Sequence, residues 1–145
     1  MYILIHKRVP TRERCFRLMG GRHDSPGCPG CGLAEQEQHR YCLCNRVQDA
    51  WAQVRDMLSQ LEIETIYESD YNLIHFNFPQ YLRDNAVVWV IGNYIQFVEE
   101  EVVRKNRRVL GSQLMGWLKA KALECRYRAM PDIGVIPGIH PTGIG

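Results

Sequence analysis

Residues 28–61 read CPGCGLAEQEQHRYCLCNRVQDAWAQVRDMLSQL, and the two halves of this stretch decide the fold around it. In the second half Val47, Ala50, Trp51, Val54, Met57, Leu58 and Leu61 recur at spacings of three and four, which puts them on one face of a helix. Asn45 stands where an N-cap belongs and Gln48 follows three residues later, as in a capping box. The spacing therefore predicts an amphipathic helix over 45–60, with Trp51 on its apolar stripe and so in the core. In the first half, Cys28 and Cys31 form C-x-x-C, with Pro29 and Gly30 suited to a turn that points both sulfurs at one ion. His39 follows after seven residues and Cys44 after four more. Two thiolates on a knuckle, one imidazole and a third thiolate make a Cys3His tetrahedron, a closed structural zinc site. Soft sulfur donors with imidazole select Zn²⁺ over Mg²⁺ or Ca²⁺. Cys42 competes with Cys44 for the fourth position. The four-residue gap after His39, on an irregular turn, favours Cys44 and leaves Cys42 as a small core residue.

The chain around this stretch has 145 residues, a mass of 16.9 kDa, and a composition that is 46% hydrophobic and 23% charged. That is the size of one domain, with enough apolar surface to build a core without obligatory disulfides. No apolar run approaches the roughly 18 residues of a membrane span, and the opening MYILIHKR meets charge too early for a secretory segment. Membrane association is not expected, and the location expected is intracellular, nuclear or cytoplasmic. In such a compartment clustered cysteines read as metal ligands before disulfides. Cys15 and Cys125 stand alone, and His23, His75 and His140 have no partner pattern.

Upstream, Thr11 after Val9 and Pro10 caps a short helix predicted over 12–19, ended by Gly20 and Gly21. Downstream, residues 62–80 read as a connector of loop with short extended or helical pieces. From 81 to 104 the residues Leu82, Val87, Val88, Ile91, Tyr94, Ile95, Val98 and Val102 keep helical spacing. The β-branched run from Val87 to Ile91 argues for a strand, but length and the later rhythm decide for helix. A last helix is predicted over 109–126, with Leu110, Leu114, Trp117 and Leu118 as its stripe. The Pro- and Gly-rich residues 129–145 are expected to be a flexible tail. The fold class is thus mostly α: a small zinc-knuckle region within 1–61, the connector, a helical hairpin over 81–128 or a bundle, and the tail.

The net charge of +2 hides three blocks. Residues 1–22 carry a net +5, residues 34–70 a net −5 and residues 104–128 a net +7. Basic blocks around an acidic middle suit a chain that meets phosphate at two places. Arg12, Arg14, Arg17 and Arg22 lie on one side of the metal motif and are candidates for backbone phosphates of RNA or DNA. Tyr41 beside Arg40 is a candidate to stack on a base or to pack over the metal.

Two enzyme readings share the cysteines. A CPGC redox dithiol needs the motif between a strand and a long helix, and here a polar stretch with more cysteines follows. A zinc deaminase needs H-x-E upstream, and His23 is followed by Asp24 and Ser25. A closed four-ligand site also leaves the metal no position for substrate. No catalytic residue is assigned, and the dithiol oxidoreductase stays a remote alternative.

The stretch TRERCFRLMGGRHDSPGCPGCGLAEQEQHRYCLCNRVQDAW, residues 11–51, resembles the zinc-binding region downstream of the polymerase in reverse transcriptases of non-LTR retrotransposons. The matching features are Ser25-Pro26, Cys28-Pro29, Cys31-Gly32, the acids Glu35 and Glu37, His39, Tyr41, Cys44 and Trp51. The region FNFPQYLRDNAVVWVIGNYIQFVEEEVVRK and the basic helix after it are similar, more loosely, to the C-terminal stretch of jockey-like elements. The resemblance implies Cys28, Cys31, His39 and Cys44 as ligands. It departs at Leu43, where an acid is common, and at Asn45, where proline is common. The complete polyprotein of that family is an RNA-directed DNA polymerase, but the paired aspartates of a polymerase and the acids of a nuclease are missing from this sequence. The function expected is therefore a non-enzymatic accessory module that binds zinc and nucleic acid. The alternative is a protein-interaction module in which the apolar helices dock on a reverse transcriptase or another partner.

Overall fold

The apolar stripe after the cysteines does form a helix, α1 (Gln48–Leu61), which buries Ala50, Trp51, Val54, Met57 and Leu58. The computed structural model describes residue 31 and residues 36–82 and 85–125. The predicted helix over 12–19 and the tail 129–145 lie outside the described residues. Helix α1 begins later than its capping signal. Val47 holds the cap position without a side-chain cap, and the Gln48 amide donates instead to the Leu43 carbonyl at 3.2 Å. Asn45 is in the turn before the helix, where its backbone has another use, described below.

Residues 62–80 resolve into helical pieces, with no strand among the described residues. A 3-10 turn (Ile63–Tyr67) buries only Thr65. Next comes α2 (Asp70–Ile74), whose N-cap Ser69 accepts from the Asn72 N–H at 3.1 Å. The helix closes with Phe76 at φ 56°. The Asn77 N–H reaches the Asn72 carbonyl at 2.8 Å and the Phe76 N–H reaches that of Leu73 at 3.2 Å, the paired bonds of a Schellman ending. Glycine usually takes that left-handed position, and a side chain there costs about 1–2 kcal/mol. Burial of the Phe76 ring, 6.3 Å from Phe78, offsets the cost.

After a 3-10 turn (Gln80–Leu82) the run that argued for a strand is helical, as the longer rhythm predicts: α3 (Asn85–Val98). Val87, Val90, Ile91, Tyr94 and Val98 are fully buried. At Glu99 the helix widens into a π-helical turn (Glu99–Arg104). Asn106 at φ 53° then reverses the chain, a conformation asparagine tolerates better than most residues. Helix α4 (Gly111–Cys125) follows, with Leu114, Leu118 and Ala122 inward. Its stripe begins one turn later than predicted, because Leu110 is largely exposed.

Helices α1, α3 and α4 pack on one another, and one apolar cluster runs from Tyr41 to Ala122. The expected hairpin over 81–128 is therefore not separate from α1 but shares its core. Trp51 meets Tyr94 with centroids 5.3 Å apart, and Phe97 meets Trp117 edge-on at 5.7 Å. A fully buried aliphatic side chain contributes about 1.5–3 kcal/mol, against about 0.2–1 kcal/mol for an exposed ion pair. Packing of these three helices, not the many surface charges, holds the fold. No helix among the described residues is long and apolar enough to cross a membrane.

Helix α4 meets α1 closely at Gly111. Its N–H donates to Asp49 Oδ2 at 2.5 Å, and a Cβ there would sit 3.2 Å from the Gln53 Cβ and 3.3 Å from Asp49 Oδ2. Gly111→Val should force the helices apart and lower stability by about 1–3 kcal/mol, read as a lower urea midpoint. An unchanged midpoint would show that the contact is not tight.

Candidate metal centre

The chain enters the core through a π-helical turn (His39–Leu43). The Cys44 N–H donates to the His39 carbonyl at 2.8 Å. This wide i→i−5 closure sets His39 and Cys44 at the two ends of one turn, the irregular turn expected from their spacing. Cys31 comes in from upstream. The ligand atoms of Cys31, His39 and Cys44 all lie within 4.8 Å of one another, and the Cys31 and Cys44 sulfurs are 3.5 Å apart. His39 and Cys44 are buried and Cys31 is half-buried. Cys28 lies outside the described residues.

This donor set fits a thiophilic metal. Two sulfurs bound to one zinc at tetrahedral angles sit about 3.8 Å apart, close to the spacing here, whereas a disulfide needs about 2.05 Å. Cys31 and Cys42 are in no disulfide among the described residues. Cys42 is not in the group. It is buried, and burial pushes its thiol pKa well up, with Asp70 adding and Arg55 partly offsetting. Such a thiol stays protonated and serves as core, as the sequence spacing favoured.

Two supporting residues escaped the sequence reading. The Asn45 backbone N–H donates to Cys31 Sγ at 3.3 Å. Buried Arg46 donates from Nε to Cys44 Sγ at 3.2 Å, and from its other arm to Asn106 Oδ1 at 2.9 Å. Donors and a cation aimed at sulfur complement thiolates and fix their direction. Arg46 thereby ties the ligand turn to the reversal after the π-helical turn of α3. A positive residue beside a cysteine carries no signal of its own in sequence.

Arg40 and Tyr41, the expected nucleic-acid contacts, are placed differently. Tyr41 is 1% exposed and Arg40 5% exposed. The Tyr41 hydroxyl donates to Glu99 Oε1 at 2.5 Å, and Arg40 donates to the same oxygen at 2.8 Å. Burial, then the Glu99 charge and hydrogen bond, push the Tyr41 pKa far up, so the phenol stays neutral. The ring has no face left for a base, and the tyrosine packs beside the ligands instead. Arg12, Arg14, Arg17 and Arg22 lie outside the described residues, as do Cys15, His23 and His140 and the Cys125 side chain. His75 is buried, with Nδ1 2.8 Å from the Tyr71 carbonyl, in the role of a core histidine.

Glu99 is the shared anchor for the turn. Glu99→Ala should cost about 1–3 kcal/mol, and Tyr41→Phe, which removes one of the two bonds, about 1 kcal/mol. Urea unfolding of both variants checks the order; a Tyr41→Phe loss equal to that of Glu99→Ala would mean that Arg40 draws nothing from the contact.

No family model matches the chain, and neither a curated protein nor a solved structure matches it.

Proposed function

We propose that Cys28, Cys31, His39 and Cys44 hold one structural zinc ion, and that the module so closed binds RNA or DNA as a non-enzymatic accessory. The observation that carries the metal part is the approach of Cys31, His39 and Cys44 within 4.8 Å, backed by the donors to both sulfurs. Cys28 belongs to the set on its C-x-x-C spacing and on the resemblance to the zinc-binding region of retrotransposon reverse transcriptases. Zinc would contribute structure only: four ligands leave no open position, and its work is to pin the upstream chain to α1. The ion can supply on the order of 10 kcal/mol in an isolated finger, and less here because α1, α3 and α4 already share a core.

The nucleic-acid part rests on the basic block at 1–22 and on the resemblance. Within the other basic block several charges are already matched. Arg104 pairs with Glu100, Lys105 with Glu101 at 2.7 Å and Lys121 with Glu124 at 3.6 Å. The phosphate contacts are therefore assigned to Arg12, Arg14, Arg17 and Arg22, with the protein located inside the cell, in nucleus or cytoplasm. One observation favours docking on a partner protein as the second reading. An open groove of about 650 Å³ with Ile95, Val103 and Trp117 in its wall runs between the π-helical turn and α4.

Native mass spectrometry of the full chain should show one zinc. Cys31→Ser and Cys44→Ser should lose it and Cys42→Ala should keep it. Two zinc ions, or no metal with a disulfide in place, would overturn the assignment. In anisotropy titrations at several salt concentrations, zinc-loaded protein should bind RNA or DNA in a salt-sensitive way. Replacing Arg12, Arg14 and Arg17 by Glu should flatten the salt slope on duplex DNA by about 3. Absence of binding at low salt would sink this reading and leave the docking one.

A further inference from the structure

The two ends of α1 carry opposite surfaces. At its C-terminal end the 3-10 turn presents Ile63, Ile66 and Tyr67, 70%, 48% and 82% exposed. Residues three apart stack on one face of a 3-10 turn, so Ile63 and Ile66 form one ridge. Tyr81, 68% exposed, lies near Glu64 and Glu68. Large apolar side chains gathered in one exposed place mark an interaction surface. Its surroundings are acidic. Glu62, Glu64 and Glu68 have no ion pair among the described residues, while Asp70 is matched by Arg55 at 3.8 Å. This surface repels nucleic acid and anionic lipid and calls for a basic partner with apolar side chains.

Such a surface is present at the other end of the same helix. Arg107 and Arg108 are exposed, without an ion pair among the described residues, and stand beside exposed Leu110. This corner is fixed to the start of α1 by the Val109 N–H on the Arg46 carbonyl at 2.9 Å and by Gly111 on Asp49. Fourteen residues of α1 separate the two surfaces by about 21 Å, so one molecule cannot bring them together, but two can.

We propose that the protein associates head to tail with further copies of itself, the Ile63, Ile66, Tyr67 and Tyr81 surface of one copy seating on the Arg107, Arg108 and Leu110 corner of the next. Such a contact joins two different patches, so each copy keeps one patch free and the assembly grows beyond a dimer.

The test is analytical ultracentrifugation of the zinc-loaded full chain over a wide concentration range at low and high salt. The mass should rise with concentration and fall with salt. Ile66→Asp with Tyr67→Ser on one face, or Arg107→Glu with Arg108→Glu on the other, should each weaken association at least about tenfold. All four positions are exposed, so helicity by circular dichroism should stay unchanged; Tyr81→Ser offers a milder change on the apolar face. The decisive arm mixes the two double variants. Each alone should be monomeric, and the mixture should form dimers and nothing larger, because one intact face of each kind remains. A monomer at every concentration, association that ignores either pair of substitutions, or a mixture that stays monomeric would overturn the proposal.

Discussion

The grip of α3 on Tyr41 is the interaction on which the rest depends. Its ring is buried, its hydroxyl donates to Glu99, and its carbonyl accepts from the Tyr94 hydroxyl at 2.5 Å. An aromatic residue held at both ends cannot rotate or slide without losing large apolar contact and two hydrogen bonds. His39 lies two residues before it and Cys44 three after, at the ends of the same wide turn. The helix core thus sets two of the three side chains that could hold a metal ion. Cys31 comes to them from upstream, with all three ligand atoms within 4.8 Å of one another.

The same contact explains the break in α3. Glu99 is where the helix changes to π geometry, and it is also the residue that reaches the ligand turn. A π turn inserts an extra residue per turn and redirects the side chains after it, and such turns often accompany sites. The next two acids, which oppose the helix dipole at a C-terminal end, are matched by Arg104 and Lys105. Charge that looked like one long basic block is therefore uneven in space. Among the described residues of that block Arg107, Arg108 and Lys119 have no ion pair, the first two near the start of α1, while Glu62, Glu64 and Glu68 have none past its end.

Much of the fold was legible because helices announce themselves by spacing. Residues 47–61 bury the side chains their period selects, and residues 85–98 are helical despite β-branched side chains because the period runs on beyond them. The connector was less legible. Its helical pieces are five residues or fewer, too short for periodicity to register, and one ends on Phe76, which no turn rule would place at positive φ. The approach of Cys31, His39 and Cys44 was legible from residue type and spacing. Their supports were not. Asn45 acts through its backbone, which has no residue signature, and Arg46 reaches partners sixty residues away.

Sequence by itself determined the helical class, the position of α1 and the choice of Cys31, His39 and Cys44, since period and ligand chemistry are local properties. Tertiary structure alone decided what Arg40 and Tyr41 do. In sequence they are a cation and an aromatic beside a metal motif, the pair expected on a nucleic-acid surface. In the fold they turn inward, because Glu99 offers them an acceptor and the bundle has room for the ring. It likewise set the Asn45 backbone N–H on the Cys31 sulfur at 3.3 Å, a contact that only the folded chain brings together.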